Sequence, residues 1–389
     1  MHRFLNKING NSYTYFDDLV SLTGGNSNTI KSQEVVFVGY GIDDDKYNDY
    51  SSIDVKGKIV VAKSGEPKTK DGVYVISGSE EASKWSNGRQ ALSSKRDAAI
   101  AHGAKALFYM DTALFTRFAP FMKRSAESGG GGRLSLKDPN NETMYMFLIN
   151  ETLGKGLVDN IDILEKPKKV NTNFAMNYES ASDDVQSENV IAFIEGSEIP
   201  NEYIVISAHL DHEGVKNGEI YNGADDDGSG TVAIMEIAEA FKAAADAGKG
   251  PKRSIVFLHV TGEERGLLGS RFYTDMDPIF PLENTVANLN IDMIGRTDPK
   301  RKSGSRNYIY LIGSDKLSTE LHEVSEEANR TYTNIELDYT YNDENDPNRF
   351  YYRSDHYNFA KNNIPVIFYF NGTHADYHKP SDTVEKIEF

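Results

Sequence analysis

Short apolar runs separated by polar stretches mark the strands predicted in the first part of the chain. VVFVGYGI (Val35–Ile42), GKIVVAK (Gly57–Lys63) and MYMFLIN (Met144–Asn150) have the length and apolar character of buried strands. Residues Ser94–Met110 have the amphipathic pattern of a helix that ends near Gly103 and leads into another strand. The pattern therefore predicts a β-rich domain.

Strands and helices alternate in the second part of the chain. NVIAFIEG and EYIVISAHL predict strands, and Thr231–Ala247 has the apolar period of a helix packed on a sheet. Further near-continuous apolar runs suit central strands that are covered on both faces: Arg253–Val260, Thr285–Ile294, Tyr308–Gly313 and Ile364–Phe370. The alternation predicts an α/β domain with a three-layer αβα fold, in which helices sandwich a mixed central sheet.

A polar stretch separates these two parts. Residues Glu179–Glu188 contain no apolar run, so we expect the domain junction at or just before them. The resulting division is a polar lead-in over residues 1–33, a β-rich domain over 34–173 and an α/β domain over 174–389. Within the last, Asp338–Arg353 has few aliphatic residues and predicts a surface loop near the site.

The charge of the chain excludes several classes of partner. The 389 residues include 42 Lys and Arg against 59 Asp and Glu, a formal net charge of −17. That excess argues against nucleic acid and against anionic membrane surfaces as partners, because both bind through basic patches. No apolar run approaches the ~20 residues that span a bilayer. The N-terminal residues lack the apolar core of a signal peptide.

The absence of cysteine limits the chemistry. It removes disulfides, thiolate zinc sites and cysteine nucleophiles, so any metal must be held by His, Asp and Glu. Such residues follow five successive predicted elements, and each cluster alone is weak evidence. Together they are hard to explain as surface decoration, and they are as follows: His209-Leu210-Asp211-His212, Gly223–Gly230 with its three Asp, Thr261-Gly262-Glu263-Glu264, Asp292, and Tyr377-His378-Lys379-Pro380-Ser381-Asp382-Thr383.

This combination favours a site for two divalent ions. A carboxylate from the loop that opens the helix at Thr231 can bridge the ions, and each ion then takes one imidazole and one further carboxylate. Glu263 and Glu264 can divide the remaining work, one as ligand and one as proton acceptor. Asp211 can hold the second imidazole nitrogen of His209. A calcium loop is disfavoured, because the spaced oxygen ligands and the distal Glu are missing.

The motifs HLDH, GADDDGSGT, GEERGLLGS, NIDMIGR and YHKPSDT, in this order, resemble those of the M28 metallopeptidases, the co-catalytic dizinc aminopeptidase group. The resemblance covers roughly Asn189 to Ile387. Upstream, FVGYGI, DYSSIDVKGKIVV and KRDAAIAHGAKALFYM resemble the protease-associated (PA) domain often found with such peptidases. The resemblance implies a zinc-exopeptidase fold with a PA-like domain, and a secreted or periplasmic location.

The resemblance implies two zinc ions per chain and assigns their ligands. Asp226, the second Asp of the GADD motif, becomes the bridging ligand. One zinc takes His209 and Asp292, and the other takes Glu264 and His378.

The same resemblance to the M28 metallopeptidases implies the roles of the other site residues. Glu263 becomes the general acid/base, and Asp211 the catalytic residue that orients an imidazole. Arg353 and Asp355 lie in a segment that lines the site in relatives and are candidates for substrate binding. Residues not expected to ligate are Asp225 and Asp227, whereas the histidines that compete with the chosen ones are His212, His259 and His374.

The leading function is a zinc exopeptidase that removes N-terminal residues from peptides. A carboxypeptidase or dipeptidase on the same metals remains open, and needs a cation such as Arg296, Arg353 or Lys379 to receive a substrate carboxylate. Glutaminyl cyclisation, which related proteins perform with one zinc, is disfavoured because the ligands for two are present. An inactive binding module is disfavoured because neither a ligand nor the base is lost. The sequence does not indicate an oligomeric state.

Overall fold

The computed structural model describes residues 4–23, 27–86, 88–127, 134–137, 144–179, 184–302 and 304–388. The chain forms two compact units, Met1–Asp184 and Val185–Phe389. The predicted boundary between residues 173 and 174 falls inside a strand that continues to Tyr178. The observed boundary between the units comes after this strand, because hydrogen bonds join the strand to the sheet of the first unit.

The first unit is built on one eight-stranded sheet. Its strands run in the order β2-β1-β10-β4-β7-β8-β9-β3, with β4, β7, β8 and β9 parallel and the other pairs antiparallel. A separate hairpin joins β5 and β6. The bounds of the elements are β1 (Phe4–Ile8), β2 (Asn11–Tyr13), β3 (Leu19–Ser21), β4 (Asn28–Phe37), β5 (Asp43–Asp44), β6 (Tyr47–Asn48), β7 (Ile59–Lys63), α1 (Gly88–Ala101), β8 (Ala106–Met110), α2 (Thr112–Glu127), β9 (Tyr145–Ile149), α3 (Glu151–Leu157) and β10 (Lys168–Tyr178).

Both faces of this sheet are covered, which explains its continuous apolar runs. Every residue of β7, β8 and β9 is buried. Along β7, Val61 packs in one core and Val60 in the other, because successive side chains point to opposite faces. Helix α3 closes the first core with Leu153, and α2 closes the second with Phe115.

The segment predicted as a lead-in belongs to this sheet. β1 pairs with β10, β3 pairs with β9, and β4 begins at Asn28. Ile8 and Leu19 are buried in the first core. The prediction that residues 1–33 are peripheral is therefore wrong for the described part, because isolated apolar residues in a polar stretch face the core by alternation.

The second unit is built on a seven-stranded mixed sheet in the order β11-β15-β12-β16-β19-β17-β18. β15, β12, β16 and β19 are parallel, whereas β11 and β17 run antiparallel to their neighbours β15 and β19, and β18 runs parallel to β17. A hairpin joins β13 and β14. The bounds are β11 (Val190–Ile194), β12 (Ile199–His209), β13 (Gly214–Lys216), β14 (Glu219–Tyr221), α4 (Gly230–Asp246), β15 (Arg253–Val260), α5 (Leu268–Asp275), β16 (Thr285–Ile291), β17 (Tyr308–Ile312), α6 (Thr319–Ala328), β18 (Glu336–Asp338), α7 (His356–Ala360) and β19 (Val366–Phe370), with short helical turns at Ala224–Ser229, Leu282–Asn284, Asn329–Thr333, Thr340–Asn342, Phe350–Tyr352 and Val384–Lys386.

Helices lie on both faces of this sheet. On one face, Val205 of β12 packs in a cluster with Tyr273 of α5 and Phe359 of α7. On the other face, Ile206 of the same strand packs in a cluster with Ile234 of α4. The predicted mixed α/β fold is confirmed for this unit. In the described residues, no helix combines the length and apolar character needed to cross a bilayer.

An aromatic cluster lies at the end of the sheet that carries β17 and β19. Phe350 is buried in it with Phe368 and Phe370, and Tyr341 packs against it. The segment Asp338–Arg353 is mostly surface loop near the site, as predicted, but its Phe350 is buried because aromatic rings replace the aliphatic side chains that the sequence lacks.

Candidate metal centre

Three parallel strands of the second unit carry ligand-type side chains to one edge of the sheet. His209 is the last residue of β12, Asp292 directly follows β16, and Glu263 and Glu264 follow β15. β12 is parallel to both β15 and β16, so their carboxyl ends meet at the same edge. The structure thereby brings these predicted residues together.

Asp226 reaches the same place from the turn that precedes α4. Its backbone N–H and that of Asp225 donate to Oδ2 of Asp382, at 3.3 and 3.0 Å. A cis peptide bond joins Asp226 to Asp227. Asp382 therefore anchors the backbone that presents the Asp226 carboxylate.

The two aspartates beside Asp226 bind backbone groups. Asp227 accepts hydrogen bonds from the N–H groups of His209, at 3.2 Å, and Met293, at 3.1 Å. Asp225 accepts from the N–H of Gly295 at 2.6 Å. Both carboxylates are buried, and burial together with Asp292 raises the pKa of Asp227 well above its usual value. These aspartates hold loops in place, and neither belongs to a candidate metal-binding group of the described residues.

The first candidate group consists of His209, Asp226 and Asp292. Nε2 of His209 lies 3.3 Å from Oδ1 of Asp226 and 3.7 Å from Oδ1 of Asp292. All three side chains are buried. Burial opposes protonation of His209, but the two carboxylates outweigh it and hold the pKa of the imidazole well above its usual value. Such a set, one nitrogen and two oxygens, suits zinc.

Two further candidate groups share Glu264, one with His212 and Asp226 and the other with Glu213 and His378, so the site has one imidazole more than the sequence assigned. Nε2 of His378 lies 3.0 Å from Oδ2 of Asp226 and 3.2 Å from Oε2 of Glu264. Nδ1 of His212 lies 2.8 Å from Oε1 of Glu264 and 3.8 Å from Oδ2 of Asp226. Glu213 lies 3.6 Å from Nδ1 of His378 and completes a further grouping.

Sequence reasoning named His212 only as a competitor. The signal for it was its position three residues after His209. The strand ends at His209, and no periodic pattern predicts the direction of the chain beyond that residue. The structure turns the chain so that His212 faces Glu264.

The Asp226 carboxylate lies between the two groups. Oδ1 faces His209, and Oδ2 faces His378 and His212. The adjacent imidazoles outweigh the effect of burial and lower the pKa of Asp226, so this carboxyl is ionised. One carboxylate with each oxygen directed to a different imidazole has the arrangement of a bridging ligand.

Buried polar atoms without a hydrogen-bond partner show that the cluster fits metal ions. They include Nε2 of His209, both ring nitrogens of His212, Oδ2 of Asp226 and Oε1 of Glu264. Leaving such groups unpaired costs free energy, and a cation shared among nitrogen and carboxylate donors removes that cost. The donors present therefore fit zinc.

The orientation of His209 corrects one prediction about Asp211. Nδ1 of His209 lies 2.9 Å from the backbone carbonyl oxygen of Asp211, whereas the carboxylate Oδ1 is 3.9 Å away. The carboxylate instead accepts a hydrogen bond from the N–H of Glu263 at 3.1 Å. The backbone of Asp211 thus orients the imidazole, and its side chain holds the loop that carries Glu263.

A chain of hydrogen bonds holds Asp292. Oγ of Ser354 donates to Oδ2 of Asp292 at 2.6 Å. Nδ2 of Asn290 donates to the same Oγ at 2.9 Å, and Ser207 donates to Oδ1 of Asn290 at 2.7 Å. All of these side chains are buried, so the position of Asp292 is fixed from behind. Sequence reasoning did not single out Ser354 as a partner of Asp292.

Glu263 lies beside the candidate metal-binding cluster without belonging to any of the candidate groups of the described residues. Its Oε2 is 4.0 Å from Nε2 of His209, and its side chain lines the pocket in front of the cluster. Burial raises the pKa of Glu263 well above its usual value, although His209 opposes the shift, and nearby Asp355 and Asp292 add to it. A pocket-lining carboxyl whose pKa is shifted by its surroundings is a candidate general acid/base.

One pocket opens onto the cluster. Its metal-facing wall includes Asp226, Glu263, Asp292 and His378, and the rest of its lining is mainly apolar or aromatic. The remaining lining residues are Met293, Phe350, Arg353, Phe368, Phe370, Thr373 and Tyr377.

Arg353 and Asp355, both predicted for substrate binding, have different positions. Arg353 lines the pocket, whereas Asp355 is fully buried and is not among the lining residues. Oδ1 of Asp355 accepts a hydrogen bond from Oγ of Ser270 at 2.5 Å. Burial raises the pKa of Asp355 to about 7. The predicted direct contact of Asp355 with substrate is therefore corrected: this carboxyl lies behind the site.

The other competing histidines lie outside the candidate groups. Nε2 of His374 is 3.1 Å from Oδ2 of Asp225, and its Nδ1 accepts from the N–H of Asp376. His259 contacts the carbonyl oxygen of Thr231 at 3.1 Å. His374 therefore supports Asp225, and His259 is structural.

Comparison with known proteins connects this geometry to a family. Residues 189–389 match the profile of Peptidase family M28. The probable glutamate carboxypeptidase LAMP1 of Arabidopsis thaliana is 35% identical over 105 residues, 27% of this chain and 14% of that protein. Leupeptin-inactivating enzyme 1 of Streptomyces exfoliatus is 30% identical over 198 residues, 51% of this chain and 38% of that protein. The matches thus cover well under half of these relatives.

Among solved structures, the zinc aminopeptidase BSAP of Bacillus subtilis is similar over 100% of this chain and 77% of its own, with 20% sequence identity and a TM-score of 0.43.

Proposed function

Because this chain belongs to peptidase family M28, we propose that it is a zinc-dependent exopeptidase, and specifically an aminopeptidase that removes N-terminal residues from peptides. The observation that carries this proposal is the Asp226 carboxylate, with one oxygen facing His209 and the other facing His378. Asp226 and His378 also line the pocket that opens onto the cluster.

Two zinc ions per chain are proposed as the cofactors. His209 and Asp292 would hold the first, Glu264 and His378 the second, and Asp226 both. Bound there, zinc would polarise the scissile carbonyl and make a water molecule acidic enough to attack near neutral pH.

Glu263 is proposed as the general acid/base. It borders the pocket next to Glu264, and the Asp211 carboxylate fixes its backbone. Its carboxylate accepts the proton from the attacking water at Oε and donates it to the leaving amine. The raised pKa of Glu263 suits both halves of this transfer.

The other buried groups have positioning roles in this proposal. The Asp211 carbonyl oxygen fixes the proton of His209 on Nδ1, which leaves Nε2 free to ligate. Ser354 directs Asp292 toward the same point.

The first unit is proposed to be a PA-like domain, on the basis of the upstream motifs that resemble one. Its sheet and helices span Phe4–Tyr178, and we place the boundary with the peptidase domain between Asp184 and Val185.

Mass spectrometry of a short-peptide library tests the proposal. The library is incubated with the zinc-loaded chain, and half of its members carry an acetylated N-terminus. Stepwise loss of N-terminal residues from the free peptides only is the expected result. Trimming from the C-terminus in both halves would show a carboxypeptidase instead, and absence of cleavage by a chain that binds zinc would contradict an exopeptidase.

A further inference from the structure

Three cations were candidates to receive a carboxylate of the substrate, and the structure separates them. Arg296 contacts Oδ2 of Asp376 at 3.4 Å, and its side chain is largely buried. Lys379 donates to the carbonyl oxygen of Ala375 at 2.5 Å. Neither lines the pocket in front of the cluster, whereas Arg353 does.

The guanidinium of Arg353 has aromatic neighbours and no acidic one. Nη2 donates to Oη of Tyr377 at 3.3 Å, and the guanidinium carbon lies 5.0 Å from the centre of the Phe350 ring. Among the described residues, no Asp or Glu lies within ion-pair distance of it. This guanidinium can therefore take a carboxylate of the substrate as its partner.

Arg353 is also close to the proposed metal ligands. The ring of Tyr377 stacks on that of His378, with 3.9 Å between centroids. One aromatic ring therefore separates the guanidinium from an imidazole that faces Asp226.

Among the described residues that line this pocket, Arg353 is the one arginine, and no lysine lines it. Met293, Phe368 and Phe370 contribute apolar lining, and the acidic lining residues Asp226, Glu263 and Asp292 belong to the cluster. Arg353 is an exposed residue, so a carboxylate of the substrate can reach its guanidinium. The planar guanidinium binds a carboxylate through two parallel hydrogen bonds.

We propose that Arg353 is a specificity-determining residue that binds a carboxylate of the substrate, foremost the side chain of an N-terminal Glu or Asp. This inference rests on the proposed exopeptidase function and adds the substrate class. The same guanidinium chemistry serves the α-carboxylate of a dipeptide, and the experiment distinguishes these two sources.

The experiment measures kcat/KM for matched pairs of substrates. C-terminally amidated peptides that begin with Glu or Gln differ only in the charge of the side chain, and Leu-Gly differs from its amide only in the terminal carboxylate. Each pair is measured with the wild-type protein, with Arg353→Met and with Arg349→Met. Arg349 is the matched control, because its guanidinium also lies over an aromatic ring, that of Tyr352, but it is not among the pocket-lining residues.

We expect the wild type and Arg349→Met to prefer Glu over Gln by about 2- to 5-fold, the range for an ion pair with an exposed side chain. Arg353→Met should lose this preference. If the free-to-amide ratio of the dipeptide falls in Arg353→Met instead, Arg353 binds the C-terminal carboxylate. If neither ratio changes in Arg353→Met, the proposal is overturned.

Binding is measured as well, so that failure of the proposed exopeptidase function can be distinguished from failure of the proposed role of Arg353. Isothermal titration of the zinc-loaded protein with L-glutamate and L-glutamine needs no turnover. Tighter binding of glutamate that disappears in Arg353→Met supports the role of Arg353 even if no peptide is cleaved. Equal affinities of the two amino acids for the wild type would overturn it.

Discussion

Each carboxylate at the cluster takes a different role because its surroundings differ. Glu263 and Glu264 are adjacent in sequence, yet Glu264 contacts two imidazoles and Glu263 faces the pocket. In the turn before α4, Asp226 faces imidazoles while Asp225 and Asp227 accept backbone hydrogen bonds. Residue type alone does not separate ligand, base and structural support.

The role of Glu263 leads to a first prediction. Glu263→Gln keeps the shape of the side chain but cannot accept a proton, so we expect kcat to fall by about 10²- to 10⁴-fold. Metal analysis should still find two zinc ions per chain. Glu264→Gln is the control, because it should lose zinc. A Glu263→Gln variant with wild-type rates would contradict the assignment of the base.

The two imidazoles at Glu264 lead to a second prediction. His378 contacts both Asp226 and Glu264 within 3.2 Å, whereas His212 contacts Glu264 at 2.8 Å and is 3.8 Å from Asp226. We expect His378→Gln to bind one zinc per chain. His212→Gln should bind two, with affinity reduced by about 10- to 100-fold because Glu264 loses its support. Dialysis against zinc buffered by a chelator, followed by elemental analysis, measures both variants. The reverse pattern would make His212 the ligand.

At the scale of elements, ends of parallel strands and the turn before α4 create the cluster. Hydrogen bonds between neighbouring strands fix the positions of the residues at their ends. The turn before α4 has no such pairing with a neighbouring strand. Asp382, from the last loop of the chain, takes that role through the N–H groups of Asp225 and Asp226. Contact between segments more than 150 residues apart thus positions the central carboxylate.

This contact leads to a third prediction. Asp382→Ala removes both hydrogen bonds, and we expect zinc affinity to fall by about 10- to 100-fold. Asp382→Asn keeps an acceptor oxygen and should bind zinc more tightly than Asp382→Ala. Asp376→Ala is the control, since Asp376 lies in the same loop but bonds Ser381 and Lys386. Equal zinc affinity in Asp382→Ala and the wild type would show that the turn holds itself.

Helix α1 of the first unit carries a buried cation with a measurable consequence. Lys95 is fully buried, and its Nζ donates to the carbonyl oxygens of Tyr40 and Gly65 at 2.6 and 2.8 Å. Burial lowers the pKa of Lys95 to about 7, although Asp49 and Glu66 oppose the shift. The folded state therefore binds fewer protons than the unfolded state between about pH 7 and the ordinary lysine pKa.

The free energy of unfolding of this unit should consequently rise with pH from about 7 to 9.5. Lys95→Met should remove that part of the slope, and Lys123→Met, on the exposed side of α2, should retain it. Urea unfolding followed by the fluorescence of Trp85, the single tryptophan and a buried residue of this unit, measures the slopes. Parallel slopes for wild type and Lys95→Met would show that Lys95 stays charged when folded.

At the scale of the whole molecule, each unit has cores of its own. Two clusters contain only residues of the first unit, and three contain only residues of the second. The candidate metal-binding groups all belong to the second unit, so bound zinc should stabilise that unit directly.

This separation leads to the last prediction. Removing zinc with a chelator should lower the midpoint of thermal unfolding followed by circular dichroism, which reports both units. The midpoint followed by Trp85 fluorescence should stay unchanged. Binding at 1,000 times Kd is worth about 4 kcal/mol, which is ample for detection. A shift of the Trp85 midpoint by the same amount would show that the two units unfold together.

The sequence by itself determined the mixed α/β fold of the second unit and the strand ends where its candidate ligands lie. Continuous apolar runs predict central strands, and side chains at the ends of parallel strands converge whatever the loops do. The motifs that resemble those of family M28 lie at these strand ends and in the adjoining loops, and they named the expected ligands.

Only the tertiary structure decided the roles that depend on long-range contacts. His212 reaches Glu264, Asp355 is buried, and Arg353 faces the pocket without an acidic partner. Long-range contacts also place the polar segment before Ser32 in the first sheet, because β1 and β4 pair with β10. A periodic pattern encodes which face of an element is buried, but the direction of an irregular loop depends on the segments that pack against it.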